Sequence, residues 1–276
     1  MTSLARGTNW RALLARWDAQ QEDYLPQRER RFEVMFDVVE ATVGRRFTAV
    51  DLGAGPGSLS VRLLRRFPSA RAVAVDYDPV TRRIGEGALG TLGGRLTWVD
   101  ARLGAPGWTD RLPPRRLDAA LSTTALHWLT PRELGRLYRD LARILPRGGV
   151  FLNGDHLPWG PRAPGLAELA ERVRALRRRR RGRGRSGGWS AWRAWWADAE
   201  KVPALAPYFA EQERRAARHP RHGDLPLEFH VAALRAAGFR DVGTVWGGFG
   251  EWVLFARRGP APAARDPLRK LDVTRG

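Results

Sequence analysis

Val50-Asp51-Leu52-Gly53-Ala54-Gly55-Pro56-Gly57-Ser58 joins an apolar run, Phe47 to Leu52, to a stretch, Ser58 to Phe67, in which Leu59, Leu63, Leu64 and Phe67 recur at helical spacing. A strand that feeds a helix through three glycines reads as a ligand cradle. Glycine tolerates positive φ and lets a ligand approach the backbone closely, and the free N–H groups at the helix start favour an electron-rich partner. Pro68 stops the helix. A dinucleotide fingerprint counted G-x-G-x-x-G from Gly53 would need glycine or alanine where Ser58 stands, which weakens a nicotinamide reading.

The same grammar repeats on both sides of the cradle. Upstream, Phe32, Val34, Phe36, Val38 and Val39 lie in a stretch that reads as helical, so residues 1–46 are expected to be an N-terminal helical segment. Downstream come a strand over Arg71 to Val75, a helix opening at Asp78-Pro79, a strand over Arg95 to Val99 and a strand over Leu117 to Leu121. Thr130-Pro131-Arg132-Glu133 then combines a capping box with proline at the first helical position, and Leu134, Leu137, Tyr138, Leu141, Ile144 and Leu145 supply the buried face. Pro146-Arg147-Gly148-Gly149 turns the chain into a fifth strand, Val150 to Asn153. Strands alternating with helices require a parallel sheet with crossover helices on both faces, because a tight hairpin cannot join parallel neighbours. Ligands are then expected at the carboxyl ends of the strands.

Beyond Asp155 the alternation breaks for about 70 residues, with an amphipathic stretch (Leu166 to Arg181), a basic hinge (Gly182 to Gly188) and a tryptophan-rich segment (Trp189 to Ala199). Residues 156–224 are therefore expected to form a helical cap inserted after strand five, on a core of residues 47–155. A helix from Leu227 to Ala237, closed by Gly238, and a hairpin of Val242 to Trp246 with Trp252 to Ala256 are expected to complete the sheet over residues 225–258. Residues 259–276 read as a disordered tail.

A chain of 276 residues that is 43% hydrophobic can bury a sizeable core and lacks the signature of a disordered chain. No window approaches 18 consecutive apolar residues and Met1 to Trp10 carries no secretory pattern, so a cytoplasmic protein without membrane contact is expected. The absence of cysteine excludes disulfides, thiolate metal sites and cysteine nucleophiles. The net charge of +19 is the footprint of a nucleic-acid binder, yet only Lys201 and Lys270 are lysine among the 48 basic residues. That arginine bias resembles a coding-composition effect, and nucleic acid is an unfavoured partner. Seven arginines lie in one run, Arg177 to Arg181, Arg183 and Arg185.

Asp51 stands two residues before Gly53, and the resulting D-x-G-x-G-x-G pattern resembles motif I of class I S-adenosylmethionine-dependent methyltransferases. The resemblance extends over about residues 47 to 153 and includes the Leu145-Pro146-Arg147-Gly148-Gly149 turn. It implies a Rossmann-like, doubly wound, mostly parallel seven-stranded sheet in the order 3-2-1-4-5-7-6, and S-adenosyl-L-methionine as cofactor. It places that cofactor against Asp51, Gly53, Ala54, Gly55, Gly57, Asp76, Tyr77, Asp100, Ala101 and Ser122. Asp76 would accept from the ribose hydroxyls and Asp100 from the adenine amine. Ser122-Thr123-Thr124-Ala125-Leu126-His127-Trp128-Leu129 looks like the matching segment of trans-aconitate methyltransferase-like, small-molecule enzymes. It departs from the Asn-Pro-Pro-Tyr motif of amino-methylating enzymes that act on bases and glutamine.

The expected function is methyl transfer to a small-molecule acceptor by in-line displacement, in a monomer or homodimer. The rival readings are an RNA or DNA methyltransferase using the arginines and a catalytically silent cofactor-binding module. A protonated acceptor needs a base, and His127 and His156 are the candidates, the second oriented by Asp155. Trp128, Asp155, Trp192 and Trp196 are candidates for the acceptor pocket. His219, His222 and His230 read as structural or surface residues, and no pair has metal-ligand spacing. Arg28, Arg30 and Arg31 are expected either to pair with Glu29 and Glu33 or to reach a substrate carboxylate.

Overall fold

The structure, a computed structural model, describes residues 7–25, 27–180, 188–216 and 224–259. The expected tail beyond 259, His219, His222, most of the basic hinge and Arg181, Arg183 and Arg185 lie outside the described residues. Seven strands, β1 Thr48–Leu52, β2 Arg71–Asp76, β3 Leu96–Asp100, β4 Ala119–Thr123, β5 Val150–His156, β6 Phe239–Gly248 and β7 Glu251–Arg258, form one sheet in the order β3-β2-β1-β4-β5-β7-β6. β1 to β5 are parallel, and β7 runs antiparallel to both its neighbours. The predicted order is the observed one.

The helices cover both faces because the strands are apolar on both. Phe32, Met35, Phe36 and Val39 of α2 (Arg28–Val43) and Leu59, Leu63 and Leu64 of α3 (Ser58–Arg66) bury one face. Leu134, Leu137, Tyr138 and Leu141 of α5 (Pro131–Ile144), with Leu234 of α9 (Leu227–Ala236), bury the other. The capping box read at Thr130 is formed in both directions, between Thr130 and Glu133. Asp78 caps α4 (Pro79–Leu89) through the Thr81 N–H at 2.8 Å.

Within the helical segment expected over residues 1–46, a separate helix that the sequence reading did not delimit, α1 (Trp10–Tyr24), precedes α2. Between β5 and α9 the chain forms α6 (Pro164–Arg180), α7 (Gly188–Glu200) and α8 (Ala206–Ala216). α1 packs on α7 and α4, α8 packs on α4, and Leu13, Leu14, Val80, Ile84, Trp195 and Leu205 are the centre of this third apolar cluster. Strand boundaries shift from expectation, and two of the shifts, at β4 and β5, bear on the site. β4 starts at Ala119, two residues later than read, because Asp118 uses its carboxylate and its amide to tie off Thr48 at the start of β1. β5 runs on to His156 because it has β7 as a second neighbour, with His156 opposite Glu251. Asp155 and His156 are thus strand residues rather than loop residues. Among the described residues no helix is long and apolar enough to cross a membrane.

His230 fits its structural reading. It is buried at the α9 and α5 contact, its Nδ1 is 2.6 Å from the Tyr138 hydroxyl, and burial lowers its pKa to about 4, so it is neutral at physiological pH. Tyr138→Phe leaves a buried ring nitrogen without that partner and is expected to cost about 1–3 kcal/mol, read as a lower urea midpoint with unchanged slope.

Candidate active site

The glycine loop lies where the sheet order reverses, between the carboxyl ends of β1 and β4, which is where an open α/β sheet leaves a crevice. A Cβ on Gly53 (φ 71°) would fall 2.3 Å from the Ala125 Cβ, so only glycine allows the loop after β1 to touch the loop after β4. Gly55 and Gly57 also have positive φ, 54° and 85°. The loop is pinned to the end of β2. Gly53 and Ala54 donate to the Val75 carbonyl at 2.9 and 3.0 Å, and Gly55 N–H donates to Asp76 Oδ2 at 2.6 Å. Asp76 Oδ1 accepts from the Asp78 N–H at 2.7 Å. Burial and the charge of Asp78 raise the Asp76 pKa to about 6.

Asp51 has a different task from the one the resemblance assigns. The cap residue of α3 is Gly57, which has no side chain to satisfy the helix start. Asp51, 2% exposed, takes that role from beneath: its Oδ2 accepts from Ser60 N–H at 3.2 Å and from Ser60 Oγ at 2.7 Å. Burial raises its pKa to about 7. Asp51 therefore braces the cradle from beneath, with its carboxylate turned to Ser60. Ser122 likewise turns inward, donating its hydroxyl to the Leu52 carbonyl at 2.8 Å with no exposed surface.

At the end of β3, beside the buried Ala101, Asp100 meets two guanidinium groups. Arg215 of α8 reaches both its oxygens at 2.9 Å and Arg82 of α4 reaches Oδ2 at 3.2 Å. Tyr77 lies beneath Arg215, whose guanidinium carbon is 4.4 Å from the ring centre. α1 closes the other side. The Trp17 ring is 3.9 Å from where a Gly55 Cβ would be, and Asp18 gathers Ser58 Oγ (2.6 Å), Arg28 (2.9 Å) and Arg62 (3.0 Å). Burial alone would raise the Asp18 pKa, but those two cations and the hydroxyl take it below the usual carboxylate value.

Across the crevice, Asp155 is buried on β5 and its Oδ1 lies 2.8 Å from His127 Nδ1. This corrects the expected pairing: Asp155 orients His127, and gives His156 only a backbone contact at 2.9 Å. The His156 ring instead sits 2.9 Å from Glu251 and within 3.2 Å of Arg174, and Glu251 also takes Arg31 at 2.8 Å. His156 is thus built into a four-residue network, while Nδ1 of His127 is committed to one carboxylate. Burial would lower the His127 pKa, but the charge and hydrogen bond of Asp155, with Asp224 and Glu251, raise it overall. Trp128 is 44% exposed at the rim, its ring 5.3 Å from that of His127. Trp192 and Trp196 belong to helix α7, away from the His127 and Asp155 pair in sequence and on a different element. They stack edge to face with each other at 5.8 Å, and Trp196 packs on Trp17, Trp195 and Phe209 in the α1, α7 and α8 cluster.

Of the N-terminal arginines, Arg30 pairs with Glu33, Arg28 with Asp18 and Arg31 with Glu251. Arg62, Arg66 and Arg82 are also paired with carboxylates, so many of the basic side chains are neutralised within the fold. Among the described residues no cluster of three His, Asp or Glu is placed to hold a metal. The sequence reading missed Trp17, Asp18, Arg174, Arg215 and Glu251. Trp10, Leu13, Leu14 and Trp17 carried the helical spacing that would have revealed α1.

Residues 49–149 match a family described as a methyltransferase domain. The sheet order and the glycine loop agree with that match, and this stretch is similar to the methyltransferase domains of the class I S-adenosylmethionine-dependent kind. The trans-aconitate 2-methyltransferase of Azoarcus sp. (strain BH72) is 32% identical over 136 residues, 49% of this chain and 49% of that protein. The malonyl-[acyl-carrier protein] O-methyltransferase of Geobacter sulfurreducens is 31% identical over 136 residues, 48% and 47% of the two chains. The chain thus spans about half the length of the curated relatives it matches. Streptomyces venezuelae DesVI has the same fold at 13% identity, with a TM-score of 0.54 over 89% of this chain and 98% of that one.

The His127–Asp155 pair favours the protonated imidazole, so it adds stability at pH values below the unfolded histidine pKa, and that share is lost as pH rises through the raised midpoint. Asp155→Asn is expected to lower the His127 titration midpoint, read by NMR of the ring protons; an unmoved midpoint would contradict the pairing.

Proposed function

We propose that this chain transfers the methyl group of S-adenosylmethionine to a small-molecule acceptor whose nucleophile carries a proton. The observation that carries the reading is the convergence of the glycine main chain with Asp76, whose carboxylate meets the Gly55 N–H at 2.6 Å beside three positive-φ glycines. Such a site fits the donor's chemistry. Bare main chain suits its amino-acid end, and an acceptor-only carboxylate suits the two ribose hydroxyls. Tyr77 and Ala101 would flank the base, and Asp100 would accept from its amine. When bound, the donor supplies an electrophilic methyl group on a sulfonium.

The chain's own contribution is placement. Holding two reactants aligned is worth up to roughly 7–11 kcal/mol in favourable intramolecular cases. His127 would take the acceptor's proton at Nε2, because Nδ1 is held by Asp155 and the raised pKa makes the imidazole a stronger base. His156, tied to Glu251, Arg174 and the strand, would shape the acceptor side without moving a proton. α6, which brings Arg174 to His156, would form part of the acceptor-side cap, whereas α7 and α8 lie against α1 and α4.

Two measurements test this reading. Asp76→Ala is expected to weaken binding of S-adenosylhomocysteine by about 1.5–3 kcal/mol in calorimetry. In the wild type that binding should be stronger at about pH 8 than at about pH 5, because an acid whose pKa is near 6 must be ionised to accept both hydroxyls. An affinity indifferent to both changes would remove Asp76 from the donor site. His127→Ala is expected to lower kcat about 10²–10⁴-fold while leaving S-adenosylhomocysteine affinity intact, and turnover should rise with pH through the His127 midpoint. Turnover that falls with pH there would make His127 a cation that binds the acceptor instead of a base.

A further inference from the structure

The C-terminal end of α8 rests on the base-binding edge of the proposed donor site. Arg215 donates from Nη1 to Asp100 Oδ1 and from Nη2 to Asp100 Oδ2, both at 2.9 Å, and from Nη1 to the Tyr77 carbonyl at 2.6 Å. Its guanidinium plane also covers the Tyr77 ring. Glu211, one turn back on α8, holds Arg215 Nε at 2.8 Å, and Gln212 is hydrogen-bonded to Asp78 on the same edge. Arg82 adds a further donor to Asp100.

A carboxylate whose two oxygens both lie in a guanidinium fork has little capacity left for an adenine amine, and a cation lying on an aromatic face excludes a flat base from that face. The geometry points to Arg215 as a displaceable occupant of the adenine position: docking of the α8 end on Asp100 and Tyr77 competes with donor binding and sets its affinity. This rests on the donor-site reading above. The side chains of Arg215 and Asp100 keep 18% and 30% of their surface exposed, so both can regain water when the contact opens. α8 has its own seat on α4, so the helix does not depend on Arg215 to stay folded. A site available only in the undocked arrangement binds its ligand with an affinity reduced by the undocked fraction.

The test is calorimetric titration of S-adenosylhomocysteine into the full chain, as wild type, Arg215→Ala and Arg215→Lys. Arg215→Ala is expected to bind about tenfold more tightly than the wild type. Arg215→Lys, which keeps the charge and loses the fork, should fall between them. Added salt should tighten binding to the wild type and leave Arg215→Ala unmoved. If the wild type binds and both variants bind equally or more weakly, Arg215 is part of the base site or a bystander, and the competition is overturned. If neither the wild type nor the variants bind, the donor-site reading fails and the competition falls with it.

Discussion

The carboxylate of Asp51 beneath the first turn of α3 is the constraint on which the site depends. β1 must end and α3 must begin within a few residues, on glycines that cannot cap a helix themselves. By accepting from both the amide and the hydroxyl of Ser60, Asp51 joins strand to helix and leaves the intervening main chain free to bend. Only in that bend do Gly53 and Ala54 reach Val75, Gly55 reach Asp76, and Gly53 lie against Ala125. A buried acid with its pKa raised to about 7 is the cost of the arrangement.

The crevice that results has two unlike walls. On the β2 and β3 side, acids at successive strand ends stand against main-chain amides and arginines. On the β4 and β5 side, charges come in tight groups, Asp155 with His127 and Glu251 with His156, Arg31 and Arg174. The division follows from topology, since β2 and β3 lie to one side of β1 while β4, β5 and β7 lie to the other.

Much of this was legible in the sequence because it is local. The glycine loop, the acids ending β2 and β3 and the Thr130 capping box are each written within a few residues, and the resemblance to one family ordered the strands. The length of β5 was not legible, since it depends on pairing with β7 about 100 residues later. Nor was the partner of Asp155: proximity in sequence favours His156, whereas the pleat and the β4 loop bring His127. Trp192 and Trp196 misled because a tryptophan stripe says only that a face is buried, and α1, the element that buries it, had gone unread despite its own Trp10, Leu13, Leu14 and Trp17 spacing. The Arg215 contact with Asp100 spans 115 residues and leaves no local trace at all.

The antiparallel β7 has one more consequence. β4 stops pairing with β5 at Gly154, so β7 alone carries the strand on through Asp155 to His156, and helices α6 to α8 are strung between the end of this rib and α9. The helical stretch can therefore vary in length and sequence without disturbing the rib that holds Asp155 and His156 in place.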